Sequence, residues 1–186
     1  PKIAGIAAII RVSHVFFSND GFLQYSWVAL LLVVSVLTMT VGNVAAIGQQ
    51  SVKRMLAYSS ISHAGFMLMG ALLINQGGAS SVAFYSIVYL FMTLVSFYIV
   101  SYVADYFGND DFERFNGLIH THPLAAILLS VAMLSLAGVP PLAGFVSKFN
   151  LLSAVIEQGH YTLAIIAGLN SVVSLYYYMK IVRFMI

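Results

Sequence analysis

Residues Leu136 to Phe149 read LAGVPPLAGFVSKF. They set a glycine and two prolines in the middle of an apolar run from Pro123 to Ile156, with one lysine close behind. Crossing a bilayer takes about 20 helical residues, and this run is far longer. Interior prolines remove a backbone donor and clash with the preceding turn, so a single straight helix is not expected. The pattern predicts two half-helices joined at Gly138 to Pro141, with Gly138, Pro140 and Pro141 making the break. Free backbone groups at membrane depth are tolerated only where protein or a water-filled cavity surrounds them. Lys148 follows about two turns later, where a charge costs about 2.5 to 3.5 kcal/mol on insertion scales unless something solvates it. About eight residues, roughly 12 Å of helix, separate it from Glu157, too far for its head group to snorkel out. That makes it a candidate for an ion or proton pathway.

The rest of the composition agrees with a membrane setting. Of 186 residues, 61% are hydrophobic and 8% charged, against about 25% charged in a soluble domain. The expected fold class is an all-α polytopic membrane bundle. With no cysteine there is no disulfide, no iron–sulfur ligation and no thiolate nucleophile, so redox chemistry here would need haem or flavin. The chain opens Pro-Lys inside an apolar run, without an initiator methionine or a charged n-region, and reads as an internal fragment of a longer protein.

Taken in order, Ile3 to Phe17 looks like the second half of a spanning helix, broken only by Arg11, Ser13 and His14. Ser18 to Ser26 reads as a turn, and Trp27 to Ile47 as an uncharged span with Trp27 placed as an interfacial anchor. The polar loop GQQSVKR (Gly48 to Arg54) precedes a span from Met55 to Ile74, a glycine-rich turn from Asn75 to Ser81, and a span from Val82 to Ala104. Asp105 to His122 carries four acids and Arg114 and is expected to be a solvated loop. The broken run follows, then a tight connection at Glu157 to His160 and a last span from Tyr161 to Met179. This gives six spans. Lys53, Arg54, Arg114, Lys180 and Arg183 all fall on one side, which lysine and arginine bias makes cytoplasmic.

Polar residues recur at helical spacing on three spans. Tyr58, Ser59, Ser62 and His63 form one stripe, Tyr85, Tyr89, Thr93 and Ser96 a second, and Asn170, Ser171, Ser174, Tyr177 and Tyr178 a third. Hydroxyls, amides and imidazole donate and accept, so with water they can carry a proton. The same groups also glue membrane helices together, for about 0.6 to 2 kcal/mol each. Both readings stay open for any single hydroxyl, and for His63. His14, beside Arg11 near a helix end, reads as structural or interfacial. A haem carrier using His14 and His63, with one histidine per span, is the reading from another class, and a structural spacer is a third.

Three segments in order carry a family resemblance: VGNVAAIGQQSVKRMLAYSSISHAGFMLMG (Val41 to Gly70), the break motif, and SVVSLYYYMKIV (Ser171 to Val182). Together they resemble the antiporter-like subunit N family of respiratory complex I (NuoN) and the similar plastid and cyanobacterial NdhB proteins. The first two also suit sodium/proton antiporter subunits of the Mrp type and the arm of membrane-bound hydrogenases. The tyrosine-rich ending and the lysine at 148 favour subunit N over subunit M, which carries glutamate there.

The resemblance implies about fourteen helices with two inverted five-helix repeats, each with one broken helix. Residues 1–17 would then end one spanning helix, and residues 27–183 would be the second repeat with its broken helix at 123–156. PKIA at Pro1 to Ala4 is similar to the family's SKIA motif, which implies Lys2 as a central-axis lysine and Lys148 as the lysine nearest the proton exit. The family's first half-channel lies outside this chain. The implied function is proton translocation in an NADH:quinone oxidoreductase, through Lys2, Tyr58, Ser59, Ser62, His63, Tyr89, Thr93 and Lys148. No catalytic, metal-binding or cofactor-binding residue is expected on this chain. NADH, FMN, iron–sulfur clusters and quinone would belong to partner subunits. Implied neighbours are subunit M, small membrane subunits and lipids, with no nucleic acid, in a bacterial cytoplasmic membrane more readily than a thylakoid.

Overall fold

The structure, a computed structural model, describes residues 2–17, 21–73 and 78–186. Pro1, the Ser18 to Asp20 part of the first turn, and Ile74 to Gly77 lie outside the described residues. Eight α-helices are present among the described residues: α1 Lys2–Phe17, α2 Phe22–Ile47, α3 Val52–Ala71, α4 Gly78–Phe107, α5 Leu118–Thr121, α6 Pro123–Ala137, α7 Ala143–Glu157 and α8 Tyr161–Met185. By length and composition, three of them (α2, α4 and α8) can cross a membrane. The other expected spans take different forms. α1 has 16 residues, α3 has 20 but carries the polar stripe, and the run at 123–156 is two helices of 15 residues each.

The bundle is arranged around α3, which packs most extensively on α2 and also meets α1, α4, α7 and α8. Its polar residues are therefore inside: Ser59, Ser60, Ser62 and His63 are all buried. The apolar helices around it face outward instead, with Leu30, Val33, Leu37, Val41 and Val44 of α2 exposed, as lipid-facing side chains must be. Close approach of α2 and α3 rests on two glycines. A methyl group at Gly42 would lie 2.5 Å from the Ser62 backbone nitrogen, and one at Gly65 would lie 2.7 Å from that of Met39. Small residues at such crossings let membrane helices gain dispersion contacts that lipid cannot match. Ser35 adds a hydrogen bond, its Oγ donating to the Gly65 carbonyl at 2.9 Å.

Two expectations change. α2 starts at Phe22, so Trp27 sits inside the helix, stacked on Phe16 with ring centroids 4.5 Å apart and its Nε1 donating to Ser13 Oγ at 3.0 Å. It pins α1 to α2. Likewise the segment at 105–122 is packed down, not a freely solvated loop. α4 runs on to Phe107, a 3-10 turn spans Phe112–Phe115, and Phe112, Phe115 and Leu118, at a three-residue spacing, are buried.

Candidate functional site: two lysines either side of a buried histidine

The break forms as the sequence dictates. α6 ends where Gly138 takes φ 86°, its N–H donating to the Leu134 and Ser135 carbonyls at 3.1 and 3.0 Å while Val139 N–H reaches Leu134 at 3.0 Å. This is a glycine-capped helix end, in which a left-handed residue turns the chain and satisfies the last carbonyls. Pro140 and Pro141, joined by a cis peptide bond, carry the chain across, and α7 begins at Ala143. Gly144 lies so near the Ser135 carbonyl that a methyl there would overlap it, and its N–H donates to Ser135 Oγ at 3.1 Å.

One carbonyl at this end is used by Lys148, whose Nζ donates to Ala137 O at 3.0 Å and lies 5.3 Å from the centroid of the Phe66 ring. Lys148 is buried, with 5% of its surface exposed. The negative end of the α6 dipole and the π face of Phe66 are what this site gives an ammonium in place of water. Gly138 is fitted to the lysine as well as to the turn, because a methyl there would stand 3.0 Å from Lys148 Cδ.

His63 sits one turn before Phe66 on α3 and is 3% exposed. Both ring nitrogens are engaged, Nδ1 with Tyr85 Oη at 2.6 Å and Nε2 with Tyr178 Oη at 3.1 Å. Tyr89 packs beside it, with ring centroids 4.9 Å apart, and its backbone carbonyl accepts from Thr93 Oγ1. Lys2 Nζ donates to Ser60 Oγ. His63 thus lies one helical turn from Ser60, which takes Lys2, and one turn from Phe66, the ring at Lys148. Towards Lys148 the neighbours are apolar, with Tyr85 stacked on Phe66 at 6.3 Å. Towards Lys2 they are hydroxyls.

Of the expected pathway residues, Lys2, His63, Tyr89 and Lys148 fall on this constellation, whereas the hydroxyls of Ser59 and Thr93 donate to the backbone carbonyls of Leu56 and Tyr89. Ser62 is buried too, but its backbone faces Gly42 of α2. Tyr58 points outward, 37% exposed. Residues that the sequence reading left out of the path are Ser60, Tyr85 and Tyr178, which make direct contact with Lys2 or His63. A helical projection could have found Ser60: at 3.6 residues per turn it lies about 60° from His63, whereas Tyr58 lies about 140° away. A second buried polar cluster adjoins through Tyr177, whose Oη donates to Asn43 Oδ1 at 2.9 Å. Asn43 Nδ2 donates to the backbone carbonyl of Asn170 at 3.0 Å and to its Oδ1 at 2.8 Å. No group of three or more metal-ligating side chains occurs among the described residues.

Comparisons with known proteins agree with this geometry. The transmembrane family described as NADH:quinone oxidoreductase/Mrp antiporter matches residues 1–174. NADH-quinone oxidoreductase subunit N 2 of Sorangium cellulosum is 42% identical, over 100% of this chain and 38% of its own length. A chain of the membrane-bound sulfane sulfur reductase, an archaeal respiratory membrane complex, superposes with a TM-score of 0.89 at 29% identity, over 98% of this chain and 37% of that one. One of respiratory complex I from Thermus thermophilus gives 0.71 at 33% identity, over 84% and 36%. The chain therefore spans about 38% of the length of the curated relative. The match to the family over residues 1–174, on an antiporter-like helical fold with a lysine at its broken helix, shows that this chain belongs to the NADH:quinone oxidoreductase/Mrp antiporter transmembrane family.

Proposed function

We propose that this chain is a proton-conducting part of subunit N in an NADH-quinone oxidoreductase. Protons pass between Lys2 and Lys148 by way of Ser60, Tyr89 and His63, and electron transfer on partner subunits drives them. The supporting observation is the placement of His63: it is buried, hydrogen-bonded at both ring nitrogens, and one helical turn from both Ser60, which takes Lys2, and Phe66, the ring at Lys148. Imidazole is the side chain suited to passing a proton, because one nitrogen can accept while the other releases. The cluster adds a supply of hydroxyls on the Lys2 side, and the broken helix adds a polar seat for the ammonium of Lys148.

Within that reading residues 27–183 form the second five-helix repeat, with α6 and α7 as its broken helix, and the chain crosses a bacterial cytoplasmic membrane six times. NADH, flavin, iron–sulfur clusters and quinone belong to other subunits, and another antiporter-like subunit and small membrane subunits lie alongside. The alternative haem reading loses support at His63, because tyrosine hydroxyls occupy both of its ring nitrogens.

The decisive experiment replaces Lys148 by alanine in the assembled complex and measures proton pumping together with quinone-linked NADH oxidation. Both should fall while assembly persists. Unchanged pumping would sink the proposal. Sodium/proton exchange is the second reading, supported by the Mrp antiporters in the same family. Redox-independent sodium/proton exchange in vesicles, abolished by the same substitution, would replace the first reading with the second.

A further inference from the structure

We propose that the second half of α8 binds one anionic phospholipid, its phosphodiester held between Lys180 and Arg183 and an acyl chain laid along Val172, Tyr176 and Met179. α8 is one of three described helices able to cross a membrane by length and composition. Its end differs from those of the other two. α2 and α4 have no basic residue in the last turn, whereas α8 has Arg183 there and Lys180 three residues earlier.

The apolar part of the site follows from helical spacing. Val172, Tyr176, Met179 and Arg183 stand at i, i+4, i+7 and i+11, which puts them on one face of α8. The first three are exposed, at 67%, 64% and 41%, and so is Arg183. From Val172 to Arg183 the helix rises about 16 Å, close to the depth of one leaflet in a hydrocarbon core about 30 Å thick. These side chains line a groove of about 1120 Å³. A tail in that groove starts at the level of the two cations and ends near the middle of the membrane.

The polar part is built from two segments of chain. Asn116 enters the same groove from the segment at 105–122, which is fixed to the end of α8 by the Gly117 N–H donating to the Phe184 carbonyl at 3.0 Å. Phe112 of that segment packs on Phe184 with ring centroids 6.0 Å apart, and Lys180 Nζ lies 4.3 Å from the centroid of the Phe112 ring. Lys180 is thereby held at the groove. No described carboxylate forms an ion pair with Lys180 or Arg183. The nearby acids are placed elsewhere: Asp110 accepts from the Lys53 N–H at 3.1 Å, Asp111 from Asn109 Nδ2 at 3.2 Å, and Glu113 is exposed. Two unpaired cations at the end of an exposed apolar stripe, with an amide beside them, complement a phosphodiester that carries a hydrocarbon tail. A zwitterionic headgroup has the same phosphate but adds a cation of its own, which Lys180 and Arg183 repel. The site therefore selects a net negative lipid.

The test uses the full-length subunit in its assembled complex, reconstituted in phosphatidylcholine vesicles with a trace of diazirine-tailed phosphatidylglycerol or diazirine-tailed phosphatidylcholine. Cross-links are mapped by mass spectrometry. Phosphatidylglycerol should label residues 172–179 at least about five-fold more than phosphatidylcholine, the scale of one cation near a membrane surface. Lys180→Gln combined with Arg183→Gln should bring the two lipids level. Arg183→Gln alone keeps the Lys180 contact with Phe112 and serves should the double variant not assemble; it should lower the preference several-fold. Arg54→Gln, at an exposed cation outside the groove, should leave it unchanged. Equal labelling by the two lipids in the parent overturns the proposal. So does a preference that survives these groove substitutions, which would leave the two cations to the helix dipole alone. A preference lost in Arg54→Gln as well would make it a general effect of surface charge and overturn the site. An unlabelled stretch would show that protein, a neighbouring subunit or the rest of this chain, covers the groove, and overturns it too. Labelling is read whether or not protons are pumped, so its outcome is separate from that of Lys148→Ala.

Discussion

Lys148 and Lys2 are held in opposite ways. Lys148 is buried, with a helix-end carbonyl, an aromatic face and a glycine shaped to its stem. Lys2, on α1, is an exposed residue whose described hydrogen bond goes to one hydroxyl, that of Ser60. The first arrangement has taken its charge out of water and returned only part of what water gave. The second has left its lysine a choice of surroundings. A buried ionisable group in a membrane chain is kept at a cost in stability, so its presence is better explained by what it does than by what it holds together.

The sharpest way to break that contrast is to remove each charge while keeping the volume. Lys148→Met should lower proton pumping by on the order of 10²-fold, the scale of losing a positioned proton-transfer group. Its thermal stability should stay level or rise, since an apolar side chain replaces a buried ion. Lys2→Met should reduce pumping with almost no change in melting temperature. A Lys148→Met variant that pumps normally but melts several degrees lower would show the buried lysine to be structural. Pumping and thermal unfolding on the same preparation decide between the two.

Gly138 offers a smaller effect on the Lys148 side alone. Alanine there is strained twice, by the positive φ, at about 1 to 2 kcal/mol for a left-handed residue, and by contact with the lysine stem at 3.0 Å. The expected result is a loss of stability of about that size together with reduced pumping. Combining Gly138→Ala with Lys148→Met should recover part of the stability, because the flexible methionine can move away from the new methyl. Full additivity of the two changes in a double-mutant cycle would show that the glycine serves the turn and not the lysine.

How much of this could be read in the sequence depends on what makes a residue costly. Lys148 and the Gly138 to Pro141 break stood out because a charge and two prolines violate what an apolar span requires. The break in the structure, between Ala137 and Ala143, follows from the same chemistry. The partners of His63 were harder to name. Spacing shows that Tyr85 and Tyr89 share a face of α4, but only the packing of α4 and α8 on α3 decides which hydroxyl meets which nitrogen. Tyr58 was drawn into the path by adjacency to Ser59, although one residue is about 100° of rotation and turns it outward. The segment at 105–122 misled through its four acids. Asp105, Asp111 and Glu113 stay on its outer side, Asp110 turns in to the start of α3, and Phe112, Phe115 and Leu118 fix the segment to the bundle.

That segment supplies the smallest expected effect, on the helix that both lysines share. Asp110 reaches across to the start of α3: its Oδ2 accepts from the Lys53 N–H at 3.1 Å and from the Ser51 hydroxyl, and its carbonyl accepts from Val52 N–H at 2.9 Å. Lys180 lies 4.3 Å from the centroid of the neighbouring Phe112 ring and ties α8 to the same turn. Partial burial pushes the Asp110 carboxyl up, but the Ser51 hydroxyl, the Lys53 N–H and the Lys53 charge outweigh it and hold the group below its ordinary range. A carboxyl lowered in the folded state stabilises fully above its ordinary range, and that contribution disappears as pH falls through the lowered value. Asp110→Ala should therefore cost about 1 kcal/mol at neutral pH, the usual scale for a lost helix cap, and the difference from the parent should vanish in strong acid. Ser60 stands two turns from this cap and Phe66 nearly four. Fraying from the start of α3 should loosen the Lys2 contact before it reaches Lys148. Amide exchange along α3 in the variant is the measurement: faster exchange near Ser60 with unchanged protection near Phe66 is expected, and uniform acceleration along the helix would show that the two lysine sites share one cooperative unit.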